Sequence, residues 1–132
     1  HDLLIEFLTS LAASESPRAF ARTQSRDEQI RAAAGLLAQQ LEHPPTLAEL
    51  ARGVGLSETT LKRGFHQVFD TTVFGYLRAR RMERARAALQ SGEATVLETV
   101  ALVGYSNPSN FAAAFRRQFG VNPKTYQLAV RR

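Results

Sequence analysis

The sequence predicts an all-α protein that contains a duplicated helical unit. Apolar residues recur at spacings of three and four, and no segment alternates apolar and polar residues between hairpin turns. Capping residues, glycines and prolines divide the chain into helices of defined length. One capped helical pair, at residues 46–70, returns at residues 95–120. Together these observations exclude a sheet and indicate a duplicated helical unit.

The first part of the chain is predicted to contain a helix, a linker and a second helix. Residues 2–13 carry leucines at helical spacing, whereas residues 14–25 are rich in serine and small residues and contain a proline. Ser25 is predicted to cap a helix from about Arg26 to Leu41. Its apolar stripe is Ile30, Ala33, Ala34, Leu37 and Leu41. The run His43-Pro44-Pro45 should end it, because proline cannot continue a helix.

Six further helices follow, and each begins at a residue that suits a helix start. The first and fourth of them begin with a threonine followed three positions later by a glutamate, which is a capping-box pattern. Glycines close most of them. The predicted helices cover, in order, residues 46–54, 58–69, 72–90, 95–103, 108–119 and 123–129.

The repeat has the features of a helix-turn-helix. TLAELARGVGLSETTLKRGFHQVFD (46–70) and TVLETVALVGYSNPSNFAAAFRRQFG (95–120) each hold a short capped helix, a glycine, an apolar residue and a serine. A longer helix follows with anchors four apart, and the second copy has one more residue in its turn. A tight glycine turn lets the short helix cross the longer one, whose outer face then fits a DNA major groove. Two matching copies are a more specific signal than one helical hairpin.

Composition narrows the function classes. The chain has no cysteine, which excludes disulfides, thiol nucleophiles and thiolate metal sites. Its three histidines lack metal-ligand spacing, and no catalytic triad, glycine-rich phosphate loop or paired carboxylates in a cleft are evident. No apolar run reaches the roughly 18 residues that span a bilayer. We therefore expect no catalytic residue, no metal, no cofactor in this domain and no membrane partner.

Positive charge is concentrated in the part of the chain that holds the repeat. Residues 1–45 contain four arginines and six acidic residues, a net charge of −2. Residues 46–132 contain 13 lysines and arginines and six acidic residues, a net charge of +7. A basic balance of this kind favours a polyanionic partner, with nucleic acid ahead of membrane. Charge alone does not decide, because many basic surfaces only keep a protein in solution.

Residues 27–128 resemble the DNA-binding domain of AraC-family transcription regulators. The most specific stretch is GYSNPSNFAAAFRRQFGVNPKTY (104–126), which is similar to that family's signature. The resemblance implies homeodomain-like three-helix lobes whose recognition helices, about 58–69 and 108–119, enter successive major-groove segments roughly 34 Å apart. The implied organisation is an N-terminal helix and linker (1–25), a first lobe (26–71), a connecting helix (72–90) and a second lobe (91–132).

The resemblance also implies which side chains read bases. In the first recognition helix the family's base-reading positions match Thr59, Lys62 and Arg63, opposite a buried stripe of Leu61, Phe65, Val68 and Phe69. In the second they match Pro108, Ser109, Ala112 and Ala113, opposite Phe111, Phe115 and Phe119. Lys and Arg suit guanine, whereas alanine offers only a methyl contact to thymine. We therefore predict that the second lobe is the weaker base reader.

Contacts to the DNA backbone are predicted at polar and basic positions around these helices. They are Ser57, His66, Arg81, Arg84, Ser106, Asn110, Arg116 and Arg117. Two other interpretations stay open. Lys62 and Arg63 form a solvated face or contact phosphate only, and arginines of the connecting helix are solvated or paired internally, such as Arg80 with Glu83 or Glu98. The apolar positions of the connecting helix are expected to face the lobes. They are Phe74, Leu77, Met82, Ala85 and Leu89.

These observations favour a bacterial, sequence-specific transcription activator that binds promoter DNA and RNA polymerase in the cytoplasm, at the nucleoid. The alternative is a non-enzymatic helical adaptor whose basic face binds an acidic protein. Residues 1–24 are too short for the sensing or dimerisation domain of AraC-like regulators, so we expect a fragment of a longer, homodimeric protein. The helix at residues 2–13 is then either the last helix before the linker or a helix that packs on the first lobe. The run FDTTVFGYLRARRMERA (69–85) resembles the siderophore-responsive regulators of that family.

Overall fold

The computed structural model describes residues 17–131, with side chains at Arg18 and from Gln24 onward. Within that range the chain forms seven helices and no strand, which confirms the all-α fold class. The helices are α1 (Pro17–Gln39), α2 (Leu47–Gly53), α3 (Glu58–Phe69), α4 (Val73–Ser91), α5 (Val96–Leu102), α6 (Pro108–Phe119) and α7 (Pro123–Val130). The helix predicted at residues 2–13 lies outside the described residues.

The first described helix is longer than predicted. Because α1 begins at Pro17, the irregular connection expected over residues 14–25 is wrong from residue 17 onward, and Ser25 lies inside the helix rather than at its cap. Proline is favoured at the first helical position, since its φ is already helical and its missing N–H needs no partner. Alanine and arginine then favour the helix. The helix ends at Gln39, shortly before the predicted stop at the prolines.

The remaining helices begin at side-chain caps. Each cap side chain accepts a hydrogen bond from the main-chain N–H three residues later, and such a cap is worth about 1 kcal/mol. The capping residues are Thr46, Ser57, Thr72, Thr95, Asn107 and Asn122. In both copies of the capping box, the glutamate carboxylate accepts a hydrogen bond of 2.9 Å from the threonine N–H. The predicted capping boxes are therefore confirmed.

Two hydrophobic cores lie on either side of the middle of α4. The first lobe packs α1, α2 and α3 with Val73 and Leu77, from the first half of α4. The second lobe packs α5, α6 and α7 with Met82, Ala85 and Leu89, from the second half of α4. One helix thus belongs to both cores, as predicted for a connecting helix.

Phe74 is the exception among the predicted core positions of α4. Its side chain is 64 % exposed, so the expectation that it faces a lobe is wrong. Successive residues of a helix point about 100° apart, and Val73 and Leu77 already take the face that meets the first core. Phe74 therefore points outward.

The repeat extends beyond the two helix-turn-helix segments. The ring of Tyr76 lies 5.7 Å from that of Phe65 and 4.8 Å from that of Phe69. In the second lobe the ring of Tyr126 lies 5.7 Å from that of Phe115. A capped helix carrying one tyrosine thus braces the inner side of each recognition helix.

Candidate nucleic-acid interface

Each recognition helix is positioned by a tight turn from the short helix before it. Gly55 and Gly104 adopt φ values of 74° and 86°, a region that strains any residue with a side chain. After each glycine the chain turns back: the N–H of Leu56 donates to Ala51, and that of Tyr105 donates to Val100. The structure therefore contains both predicted helix-turn-helix units, with recognition helices α3 and α6.

The first reading face consists of Thr59, Lys62 and Arg63 on α3. All three side chains are exposed, and so are Ser57 and His66 beside them. The opposite side of α3 buries Leu61 and Phe65, as predicted, together with Gly64, whereas Val68 and Phe69 of the predicted stripe are half-buried. Within residues 17–131, no ion pair involves Lys62 or Arg63. The two cations are therefore available to an external anion or base edge.

The second reading face consists of Pro108, Ser109, Ala112 and Ala113 on α6. The proline and serine are exposed, whereas the two alanines are half-buried. Exposed polar and basic side chains surround this face: Ser106, Asn110, Arg116 and Arg117. Asn107 caps the helix by accepting the N–H of Asn110 at 3.0 Å, as predicted. The face thus offers small apolar contacts at its centre and cations at its C-terminal end.

Arg84, a predicted backbone contact, has a partner inside the protein. Its two terminal guanidinium nitrogens donate to the Glu93 carboxylate at 3.0 and 2.7 Å. This hydrogen bonding raises the pKa of Arg84 and lowers that of Glu93. A bidentate pair of this kind satisfies the guanidinium without DNA.

Arg81, the other predicted backbone contact of the connecting helix, is half-buried. Its Nε–H donates to the main-chain oxygen of Leu41 at 3.0 Å, and its guanidinium lies over the ring of Tyr105. Arg80 forms neither of the ion pairs considered for it within residues 17–131, since Glu83 pairs with another arginine and the Glu98 carboxylate accepts from the Thr95 N–H. The partner of Glu83 is Arg86, at 2.7 Å.

A groove of about 270 Å³ lies between α4 and α6. Arg78 and Arg117, both exposed, line it together with Thr71 and Gly75. Arg78 is not among the predicted contacts, because nothing in the local pattern separates it from the other arginines of the connecting helix. Only the packing of α6 against α4 brings it to the groove.

A second groove, of about 300 Å³, opens beside the first recognition helix. Lys62 and His66 line it together with the exposed ring of Phe74. The first reading face is thus bordered by an aromatic side chain. The second is not, because Lys124 occupies the position that corresponds to Phe74 in the second copy of the repeat.

The described residues contain few other candidate sites. Across residues 17–131, no three His, Asp or Glu side chains come together in an arrangement that would hold a metal ion. No helix in that part of the chain has the length and apolar character needed to cross a membrane.

Comparison with known proteins agrees with this geometry. A family model described as a helix-turn-helix domain matches residues 50–129. The regulatory protein PchR of Pseudomonas aeruginosa is 43% identical over 82 residues, which cover 62% of this chain and 27% of PchR. The chain therefore spans only about a quarter of that relative.

Solved structures share the fold. A transcriptional regulator with an AraC-type DNA-binding domain, from Chromobacterium violaceum, superposes with a TM-score of 0.75 at 25% identity. The superposition covers 83% of this chain and 96% of that one. The DNA-binding domain of AdpA, solved in complex with a target DNA, superposes with a TM-score of 0.71 at 24% identity, over 77% of this chain and 92% of AdpA's. The chain belongs to the AraC family of transcription regulators, of which it is a DNA-binding domain with two helix-turn-helix units.

Proposed function

We propose that the two lobes bind successive major-groove segments of promoter DNA and contribute unequally: the first specifies sequence and the second mainly anchors. The observation that carries this proposal is the contrast between the reading faces. Both lie opposite a buried aromatic core, but only the first carries cationic hydrogen-bond donors, Lys62 and Arg63, at the centre of the face, where the second has Ala112 and Ala113.

Base reading by α3 follows from the chemistry of its exposed face. Lys62 and Arg63 are one residue apart, and Thr59 lies one turn before them, so all three can meet one stretch of groove. A bidentate contact to guanine O6 and N7 discriminates against other bases by about 1–3 kcal/mol. Ser57 and His66 flank this face and contact the phosphates on either side in our proposal.

Anchoring by α6 follows from its small side chains. Ala112 and Ala113 offer methyl contacts to thymine, and Pro108 and Ser109 complete the face. Phosphate contacts then come from Ser106, Asn110, Arg116 and Arg117. Such contacts fix the register of a protein on DNA and carry little sequence information.

The connecting helix contributes a different arginine from those predicted. We leave Arg81 and Arg84 out of the DNA contacts, because both donate to groups of the protein itself. Arg78 replaces them in our proposal, because it is exposed and shares the groove between α4 and α6 with Arg117. Two arginines on one groove complement the phosphodiester backbone where it passes between the lobes.

Selection of bound sequences from random DNA tests the proposal. The native domain should enrich a site with one well-defined half and one degenerate half. Lys62→Ala and Arg63→Ala should relax the defined half, whereas Arg52→Ala, an exposed arginine on α2, removes the same charge and should not. If no sequence is enriched, the basic face serves an acidic protein partner instead. If both variants weaken all sequences equally, Lys62 and Arg63 contact phosphate only.

For the full-length regulator we propose activation of transcription through RNA polymerase, as a homodimer formed outside this domain and at the nucleoid of a bacterial cytoplasm. Two findings support this proposal: the chain belongs to the AraC family, and its match covers only 27% of the length of PchR. The siderophore-responsive subgroup indicated by residues 69–85 stays a prediction. Promoter binding and transcription by the full-length protein, with and without a ferric siderophore, test these points. An unchanged response would discard the siderophore subgroup.

A further inference from the structure

The two lobes meet at a junction formed by Leu41, Glu42, Arg81, Gly104 and Tyr105. The turn glycine of the second helix-turn-helix lies directly against the chain that follows α1. A Cβ on Gly104 would stand 2.6 Å from the main-chain oxygen of Leu41 and 3.0 Å from that of Glu42. Because the 2.6 Å distance is shorter than any normal carbon–oxygen contact, a residue with a side chain would force the lobes apart at this point.

Arg81 connects the two sides of this junction. Its Nε–H donates to Leu41 of the first lobe, and its guanidinium carbon lies 5.6 Å from the ring centroid of Tyr105 in the second. Burial lowers the pKa of Arg81, while the proximity of Tyr105 partly offsets that effect. The partners found for this cation are a carbonyl and an aromatic ring rather than a carboxylate, so the arginine is held by geometry rather than by an opposite charge.

The junction is mechanically linked to both recognition helices. On the first-lobe side, Ile30 of α1 packs into the space left by Gly64 of α3, so the end of α1 moves with α3. On the second-lobe side, Tyr105 packs edge-on against Phe111 of α6 with ring centroids 5.7 Å apart. Contacts therefore run from α3 to α1, along the chain to Leu41, and from there through Arg81 and Tyr105 to α6.

A connecting helix alone would not fix the two lobes. The cores are separate, and each takes a different half of α4, so twisting or bending of α4 would rotate one recognition helix relative to the other. Long helices are rarely straight, so the course of α4 alone does not define the angle between the lobes. A second contact away from the helix axis removes that freedom.

We propose that Arg81 is a positioning residue that sets the separation and angle of α3 and α6, and thereby the spacing of the two half-sites, without contacting DNA. The part of this proposal that concerns half-site spacing rests on the proposed function. The part that concerns the rigidity of the free domain does not depend on DNA binding, so the two parts are tested separately.

Distances between spin labels on α3 and α6 test the rigidity directly. The chain has no cysteine, so Gln67→Cys and Gln118→Cys, at two exposed positions, give a uniquely labelled pair. We expect one narrow distance distribution for native Arg81 and a broadened or shifted one for Arg81→Met. Arg81→Lys should broaden as well, because lysine keeps the charge but loses the planar fork that donates and stacks at once.

Arg80→Met is the matched control, because it removes the same charge from an exposed position one residue earlier. Its distance distribution should stay native. Circular dichroism establishes that each variant is folded before its distances are measured. A native distribution in folded Arg81→Met overturns the proposal, and so does an equal broadening in Arg80→Met.

Binding to DNA tests the consequence for spacing. The selected site is compared with sites whose half-sites are moved by one base pair. Rigid linkage of two binding modules can add 10²–10⁴-fold to affinity, and we expect Arg81→Met to lose about tenfold in the preference for native spacing. Binding to the isolated first half-site should not change. An unchanged spacing preference overturns the proposal, whereas a native protein without any spacing preference overturns the proposed function instead.

Discussion

The first and second lobes share one plan of caps, turns and aromatic anchors, yet they expose different chemistry. Leu61 and Phe65 in α3 correspond to Phe111 and Phe115 in α6, and all four are fully buried. On the opposite side of the same helices, Lys62 and Arg63 stand where the second lobe has two alanines. Burial constrains the anchors because interiors are densely packed, while the outer face is free to change with the DNA it meets.

The lobes also differ in how the recognition helix packs against the long helix behind it, which is α1 for α3 and α4 for α6. In the first lobe, a Cβ on Gly64 would lie 2.2 Å from the Cδ1 of Ile30, so α1 and α3 pack in close contact. In the second, the corresponding residue is Ala114, and it lines the groove that holds Arg78 and Arg117. Ala114 is buried like Gly64, but it borders a groove, whereas the side chain of Ile30 fills the space beside Gly64.

Removing one buried ring should have the largest effect and should test whether the cores are separate. Phe65→Ala and Phe115→Ala should each lower the free energy of unfolding by about 3–5 kcal/mol, because both side chains are fully buried. Hydrogen exchange should show lost protection mainly in the lobe that carries the change. Equal loss in both lobes would mean that they unfold as one unit.

The difference at Gly64 and Ala114 predicts that a valine lowers the free energy of unfolding by unequal amounts at the two positions. Gly64→Val should destabilise the domain by about 1–3 kcal/mol, since the new methyl groups overlap Ile30. Ala114→Val should destabilise the domain less than Gly64→Val, because Ala114 is buried but borders the groove between α4 and α6. Urea denaturation of both variants measures the difference. Similar decreases in the free energy of unfolding would show that the groove gives the valine at position 114 no additional space.

Adding a cation to the second reading face should reduce the functional contrast. Ala113 occupies the repeat position of Arg63, so Ala113→Arg should sharpen the degenerate half of the selected site by about 1–3 kcal/mol at one base pair. Sequence selection with this variant measures the gain. A uniform rise in affinity, with no change in the degenerate half, would show that this position faces phosphate.

Salt dependence separates the anchoring arginines from the internally paired ones. If about five phosphates are neutralised, log K should fall against log salt with a slope near −4.5. Arg117→Ala should reduce the magnitude of that slope by about 0.9, whereas Arg84→Ala should leave it nearly unchanged because Arg84 is paired with Glu93. Binding measured over a salt series decides; a slope near zero for the native domain would refute DNA binding.

Acid should have the smallest effect. Hydrogen bonds with Thr46 lower the pKa of Glu49 in the first lobe, and those from Arg84 lower the pKa of Glu93 in the second. A depressed pKa in the folded state gives stability that is present above the unfolded pKa, near 4.5, and is lost as the pH falls through the folded value. Unfolding of Glu49→Gln and Glu93→Gln should therefore show weaker pH dependence below about pH 4.5. An unaltered profile in both would mean that other carboxylates dominate.

Much of the fold could be predicted because its signals are local. A side chain such as Thr46 or Asn107 caps a helix within three residues of itself, and the spacing of Leu61 and Phe65 defines the buried side of α3 without reference to any other element. The exposed positions Thr59, Lys62 and Arg63 follow from the same spacing. Their contacts with DNA remain predictions, since exposure alone does not show which group of the DNA they meet.

Sequence alone therefore determined the helices after residue 46, the duplicated plan and the unequal reading faces. Tertiary structure decided what the connecting helix does with its side chains. Helical periodicity shows which positions share a face, but it does not show which chain segment covers that face. Arg81 meets a carbonyl 40 residues earlier, and Phe74 meets solvent, because the arrangement of the two lobes around α4 determines both outcomes.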